Sequence, residues 1–335
     1  MDLLDELRER SRRIGETVRR RTGSVLVDGF FRSMAMAGRL HPNARPEKHN
    51  AEVLRDIPYA PDGDRDHLLD IYRPTASERP WPVVLYVHGG GFRILSKDSH
   101  WVMGLAFARR RLIVFNINYR LAPRHHFPAA LEDTCRAFRW VLDNAARFGG
   151  DPTRILLAGE SAGANLITSL TLCCCYRRPE PFAREVWDTA VVPRVVLPAC
   201  GIYQVSDTRR FGRRRYLPVW VMDRLDEVHR SYLGEHAHEP ALLELANPLL
   251  VLEQGRPPDR PLPPFFVPVG TKDPLLDDTR RLKAALDRMD VPCEARYYEG
   301  EIHAFHALAY RPQARRCWRD TYTFLDRYLF ASKTP

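Results

Sequence analysis

The sequence predicts an α/β protein built on a mostly parallel central sheet with helices on both faces. Three observations carry this reading. Short apolar runs recur along the 335 residues, at 82–87, 155–158 and 264–270, with a further β-rich run at 294–298. Amphipathic stretches of helical spacing lie between them, the alternation expected of strands joined by helical crossovers. Each of these runs is also followed at once by a loop carrying chemically distinctive residues. A chain of this length can bury a large core as a single domain.

Pro82 to Val87 reads as a buried strand that runs into His88-Gly89-Gly90-Gly91. A glycine-rich loop after a strand offers bare backbone N–H groups to a developing negative oxygen. Ile155 to Ala158 reads as a second strand, ending in Gly159-Glu160-Ser161-Ala162-Gly163. Gly-x-Ser-x-Gly describes a sharp strand-to-helix turn that lifts the serine clear at a strained geometry. Its glycines let strand and helix approach closely. Ala162 to Tyr176 continues as a helix, with Leu166, Ile167, Leu170 and Cys174 at apolar positions. One motif supplies a nucleophile and the other an oxyanion site, so the pair points to acyl transfer.

A serine hydroxyl is a poor nucleophile until a base takes its proton, and that base is usually a histidine held by a carboxylate. In this strand–turn–helix architecture the partners follow in the order serine, acid, histidine. Pro264 to Gly270 reads as a strand followed by Thr271-Lys272-Asp273-Pro274. Glu294 to Tyr298 reads as another, followed by Glu299-Gly300-Glu301-Ile302-His303. Asp273 and His303 are therefore expected past strand C-termini, on the same sheet edge as Ser161. Asp277 and Asp278 lie further on and are expected to open the next helix, with Pro274 suiting its first position. His306 is the rival base, one helical turn past His303. His125 and His126 are adjacent, point in different directions and have no third ligand nearby, so no metal site is expected there.

By these residues the chain resembles the hormone-sensitive-lipase group of α/β-hydrolase esterases, which includes bacterial carboxylesterases and arylacetamide deacetylase. The resemblance runs from Leu69-Asp70-Ile71-Tyr72-Arg73-Pro74 to the end. It takes in His88 to Phe92, Tyr119 to Pro123, Phe127 to Ala130, Glu132-Asp133, Gly150-Asp151-Pro152, Gly159 to Gly163, Asp273-Pro274-Leu275, and His303 with Phe305. It implies an α/β-hydrolase fold with a helical cap and a triad of Ser161, Asp273 and His303. It further implies an oxyanion hole from the N–H groups of Gly89, Gly90 and Ala162, with His88, Gly91, Gly159, Glu160 and Gly163 as supporting motif positions. The implied activity is that of a serine carboxylesterase for short to medium acyl esters, working through an acyl-enzyme with neither cofactor nor metal. Its partner is a small-molecule ester, and a homodimer is left open.

Two other classes compete. An amidase or deacetylase would use the same triad, because pocket shape and proton delivery select the leaving group. A catalytically silent small-molecule receptor on this fold is disfavoured by the retained His303. Four positions depart from the family pattern: Arg124 for glutamate, His126 for proline, Ala304 and Ala164 for glycine. None removes a catalytic group, so they bear on loop shape and substrate preference.

Two segments stand outside the sheet. Residues 1–22 carry Leu3, Leu4, Leu7, Ile14 and Val18 at helical spacing. Residues 207–247 carry the apolar stripe Val219, Trp220, Met222, Leu225, Val228 and Tyr232. The resemblance makes both part of a cap. The expected organisation is a cap segment at 1–50, core at 51–206, a cap insertion at 207–247 and core at 248–335.

The formal charge of +9 comes almost wholly from arginine, since lysine stands only at 48, 97, 272, 283 and 333. The arginines are spread along the chain without a nucleic-acid motif, so nucleic acid is not an expected partner. No apolar run reaches the ~18 residues of a membrane span. No charged-then-apolar leader opens the chain, and a soluble cytoplasmic protein is expected. Cys173-Cys174-Cys175 fall on consecutive helical positions, which cannot form a compact metal site, and read as small packing residues.

Overall fold

The computed structural model describes residues 22–330, apart from 24, 26–28, 31, 34, 77–79, 215 and 240–242. All but the last residue of the amphipathic segment expected at 1–22 lies outside them.

Eight strands form one sheet: β1 (Ala51–Pro58), β2 (Leu68–Pro74), β3 (Trp81–Val87), β4 (Ile113–Ile117), β5 (Gly150–Glu160), β6 (Val196–Ala199), β7 (Phe265–Gly270) and β8 (Cys293–Tyr298). Their spatial order is β1-β2-β4-β3-β5-β6-β7-β8. β1 pairs antiparallel with β2, and β2 with β4. From β4 to β8 every pairing is parallel. Helices Trp101–Ala108, Ala129–Asn144, Ala162–Cys175 and Leu276–Arg288 carry the chain between parallel strands. The predicted architecture is the observed one.

The apolar runs are continuous because both faces of the sheet are covered. Alternate side chains point to opposite faces. Val83, Leu85, Val87, Ile155 and Leu157 therefore pack with Leu166, Ile167 and Leu170 on one side. Val84, Val114, Leu156 and Phe266 pack with Phe107, Trp318 and Phe324 on the other. Cys173, Cys174 and Cys175 are all fully buried, as their packing role requires.

Two boundaries differ from expectation. β5 begins at Gly150 rather than Ile155, because Gly150 and Asp151 pair with Trp81 and Pro82 before a shift in register. The helix after Asp273 begins at Leu276, so Pro274 lies in the preceding turn rather than at the first helical position. Asp277 and Asp278 do open that helix, within its first turn.

The insertion at 207–247 holds a short helix, Arg210–Arg214, and a longer one, Val219–Leu233. Its base is tied to the core. Arg210 pairs with the buried Asp278 at 2.5 Å. Asn247 Oδ1 accepts from the N–H groups of Val205 and Ser206 at 2.8 and 3.0 Å. Only part of the expected apolar stripe is covered. Leu225 and Tyr232 are buried, whereas Val219 and Trp220 remain 57% and 64% exposed. Among the described residues no helix is long and apolar enough to cross a membrane.

Candidate active site

The parallel strands all end on one edge, and their C-terminal ends deliver the candidate residues. His88 follows β3, Ser161 follows β5, Cys200 follows β6, Asp273 lies beyond β7 and His303 beyond β8.

Ser161 sits between β5 and helix Ala162–Cys175 with φ 53° and ψ −113°, a strained backbone for a non-glycine residue. The strain persists because its surroundings fix it. Ser161 N–H donates to Ala199 O at 2.9 Å, and Ser161 O accepts from Asn165 N–H at 3.3 Å. Gly163 permits the turn: a Cβ there would stand 2.0 Å from Val87 O, so any side chain would push the helix off β3.

Asp273 is fully buried, and both of its carboxylate oxygens are engaged. Oδ1 accepts from Leu275 N–H at 2.7 Å, and Oδ2 accepts from His303 Nδ1 at 2.9 Å. His303 keeps about a third of its side chain exposed, at 34%. Burial disfavours its imidazolium, but the Asp273 carboxylate beside Nδ1 outweighs that effect. The pKa of His303 therefore stands well above the ordinary histidine value. β6 links this pair to the serine: Ala199 takes the Ser161 N–H, and the next residue, Cys200, lies against His303.

The His88–Gly91 loop is aimed by its carbonyls. Tyr119 Oη donates to His88 O at 2.9 Å, and the Gly89 carbonyl accepts from His88 Nδ1 at 2.7 Å. In a trans peptide the C=O of one residue and the N–H of the next point in opposite directions. Holding the carbonyls of His88 and Gly89 therefore turns the N–H groups of Gly89 and Gly90 the other way. No acceptor among the described residues takes the N–H of Gly89, Gly90 or Ala162. Ala162 is also the first residue of a 14-residue helix, where the dipole favours negative charge. Gly90 has φ 111°, and a Cβ on it would lie 2.1 Å from Ile94 O. His88 stacks on Tyr119 with ring centroids 4.3 Å apart. Its burial pushes its pKa down to about 3, so it is a neutral structural donor.

The cap reaches this loop directly. The Tyr232 ring stacks on Phe92 at 3.6 Å, Arg93 pairs with Glu227 at 2.6 Å, and Val228 closes over Gly91. His126 Nδ1 donates to Ser231 O at 2.7 Å, so the second of the adjacent histidines fastens the cap helix. Ala304, which stands where the family has glycine, adopts a left-handed backbone with φ 55°.

Sequence reasoning missed one cluster. Glu160, beside the candidate nucleophile, is buried between two histidines. Oε1 accepts from His100 Nε2 at 2.8 Å, and Oε2 lies 2.9 Å from His306 Nε2. Burial raises the Glu160 pKa, but His100 and His306 override that and hold it well below the usual carboxylate range. His306, the rival base, is thus buried in a structural pair. Glu160 joins three strand ends, because His100 opens the helix after β3 and His306 follows β8. No local signal exposes this cluster, since its members lie 60 and 146 residues from one another's partner in the chain.

Replacing Glu160 by glutamine should cost about 1.5–3 kcal/mol of stability at neutral pH, the worth of hydrogen bonds to a buried charge. Urea denaturation measures it. Because the folded-state pKa is depressed, this stabilisation is present above the unfolded carboxylate pKa and is lost as pH falls through the folded value. A wild-type advantage that disappears by pH 6 would contradict the assignment.

Known proteins resemble the chain in this region. A family model described as alpha/beta hydrolase fold matches residues 84–307. The carboxylesterase NlhH of Mycobacterium tuberculosis is 32% identical over 244 residues, 71% of this chain and 69% of that relative. An acetyl esterase of Salmonella schwarzengrund is 29% identical over 240 residues, 70% of this chain and 68% of its own length. Among solved structures, esterase LipW from Mycobacterium marinum matches with a TM-score of 0.73 at 24% identity, covering 92% of this chain and 90% of that one. At that identity the structural likeness speaks for the fold.

Proposed function

The chain belongs to the α/β-hydrolase fold family, in its hormone-sensitive-lipase-like branch, and from that premise we propose that it cleaves short to medium acyl esters through an acyl-enzyme on Ser161. It is a carboxylic ester hydrolase. The observation that carries the mechanism is the Asp273–His303 pair at 2.9 Å, held at the same sheet edge as a strained Ser161.

Ser161 Oγ attacks the ester carbonyl while His303 Nε2 takes its proton. Asp273 holds the imidazole by Nδ1 and stabilises the imidazolium. The N–H groups of Gly89, Gly90 and Ala162 receive the oxyanion. His303 then protonates the departing alcohol, and water activated by the same histidine releases the acid. Residues 51–206 and 248–335 form the core of this reading, and 1–50 and 207–247 its cap. The contact of Val228 and Tyr232 with the loop at 91–92 makes the insertion a determinant of acyl length.

An acyl-length series of chromogenic esters, with one matching anilide, tests this reading. kcat/KM should rise from acetate by up to about fourfold per added methylene, from ~0.8 kcal/mol of buried surface each, and fall for long chains that the cap excludes. An anilide cleaved faster than its ester would replace the esterase reading with an amidase.

A further inference from the structure

We propose that Cys200, Asp273 and His303 form a binding site for one zinc-class divalent cation, and that filling it switches the hydrolase off reversibly. The inhibitory half rests on the triad reading above; the binding half does not.

The Cys200 sulfur, an Asp273 carboxylate oxygen and a His303 ring nitrogen all lie within 4.8 Å of one another. Among the described residues this is the one cluster of its kind. Its members come from the ends of three neighbouring strands, so the framework is stiff. Cys200 is pinned by its N–H to Pro268 O at 3.0 Å and holds φ 39°, in the left-handed region. Thiolate, imidazole and carboxylate together are a zinc donor set, and three protein ligands with an open fourth position suit a tetrahedral ion. Bonds of about 2.0–2.3 Å place tetrahedral ligands roughly 3.3–3.7 Å apart. The remaining adjustment falls to His303, the partly exposed member and the entry side. A sulfur ligand disfavours magnesium and calcium, which take oxygen.

The charges balance. Asp273 brings one negative charge, and Cys200 a second when its thiol proton leaves to solvent. A dipositive ion then makes a neutral unit, which burial tolerates far better than a lone ion. Without metal, burial holds the Cys200 thiol above its ordinary value despite His303, so it is a neutral S–H and no rival to Ser161. The space between Asp273 Oδ2 and His303 Nδ1 now holds the Nδ1 proton. A metal on Nδ1 displaces that proton to Nε2. An imidazole protonated at Nε2 cannot take the proton of Ser161, and hydrolysis stops.

Two measurements on the full chain decide it. Cobalt(II) added alone to the Ser161→Ala protein should give one equivalent of a thiolate-to-metal charge-transfer band, absent from the Ser161→Ala/Cys200→Ser protein. Zinc should inhibit the wild-type esterase, with recovery on adding a chelator and no inhibition by magnesium. In Cys200→Ser, the zinc concentration for half-inhibition, measured against that variant's own metal-free rate, should rise at least about tenfold. Absence of the thiolate band overturns the site. The band with undiminished hydrolysis overturns the switch. Equal zinc sensitivity in both forms also overturns the switch, since zinc would then act elsewhere. A protein that shows the band but cleaves no ester supports the site and overturns the esterase reading instead. If Cys200→Ser fails to fold, Cys200→Ala takes its place, and a band that persists without the Cys200 sulfur overturns the site.

Discussion

Replacing Ser161 by alanine lowers kcat by about 10⁴-fold or more, judged by other triads of this kind. That is a loss of about 5.4 kcal/mol of transition-state stabilisation. The variant removes one oxygen and leaves everything else in place. Alanine keeps the Cβ that already occupies the strained turn at φ 53°, and the backbone bonds to Ala199 and Asn165 do not involve the hydroxyl. The fold should therefore survive, and the residual rate should come from the N–H groups of Gly89, Gly90 and Ala162 and from substrate binding alone. Steady-state hydrolysis of a chromogenic acetate, with circular dichroism as the control for folding, checks both points. A fall of less than about tenfold would mean that another group attacks the ester.

Asp273→Asn is expected to cost nearly as much, about 10⁴-fold in kcat, through the wrong tautomer rather than lost packing. Asp273 Oδ1 accepts from Leu275 N–H, and Oδ2 accepts from His303 Nδ1. Asparagine can offer an acceptor on one side only. With its oxygen kept for the buried Leu275 N–H, its NH₂ faces His303 and forces the imidazole proton onto Nε2. The same substitution should move the pH profile. The Asp273 charge stabilises the imidazolium, so wild-type kcat/KM should fall tenfold per unit below an apparent pKa higher than ~6.5. Removing that charge destabilises the protonated form, and the midpoint should move to lower pH. A wild-type profile flat from pH 5 to 8, with the protein folded, would contradict a histidine base.

The sheet was legible because each central strand is a short apolar run ending in a marked loop. The runs expected at 82–87, 155–158, 264–270 and 294–298 all fall within observed strands or one residue outside them. The six parallel strands follow from burial on both faces, and that burial leaves its signature in composition. What stayed hidden depends on distant pairing. Nothing near Glu160 announces that His100 and His306 close on it, because their meeting is produced by the strand order. Cys200 belongs to no motif in the sequence, and only the adjacency of β6, β7 and β8 brings it to His303. The segment at 219–232 was legible as an apolar stripe within a cap. It is a helix, yet its first turn, with Val219 and Trp220, stands clear of the core among the described residues, while Leu225 and Tyr232 are covered. Helical period alone places residues on a face and does not say how much of that face is covered.

The central claim is that Ser161 is the activated nucleophile, and covalent labelling tests it most directly. The full-length protein is treated with a fluorophosphonate, and the site of attachment is read by peptide mass mapping. The account predicts one adduct per chain, on Ser161, and no adduct in the Ser161→Ala protein. An adduct on any other residue, or labelling that survives Ser161→Ala, would contradict it.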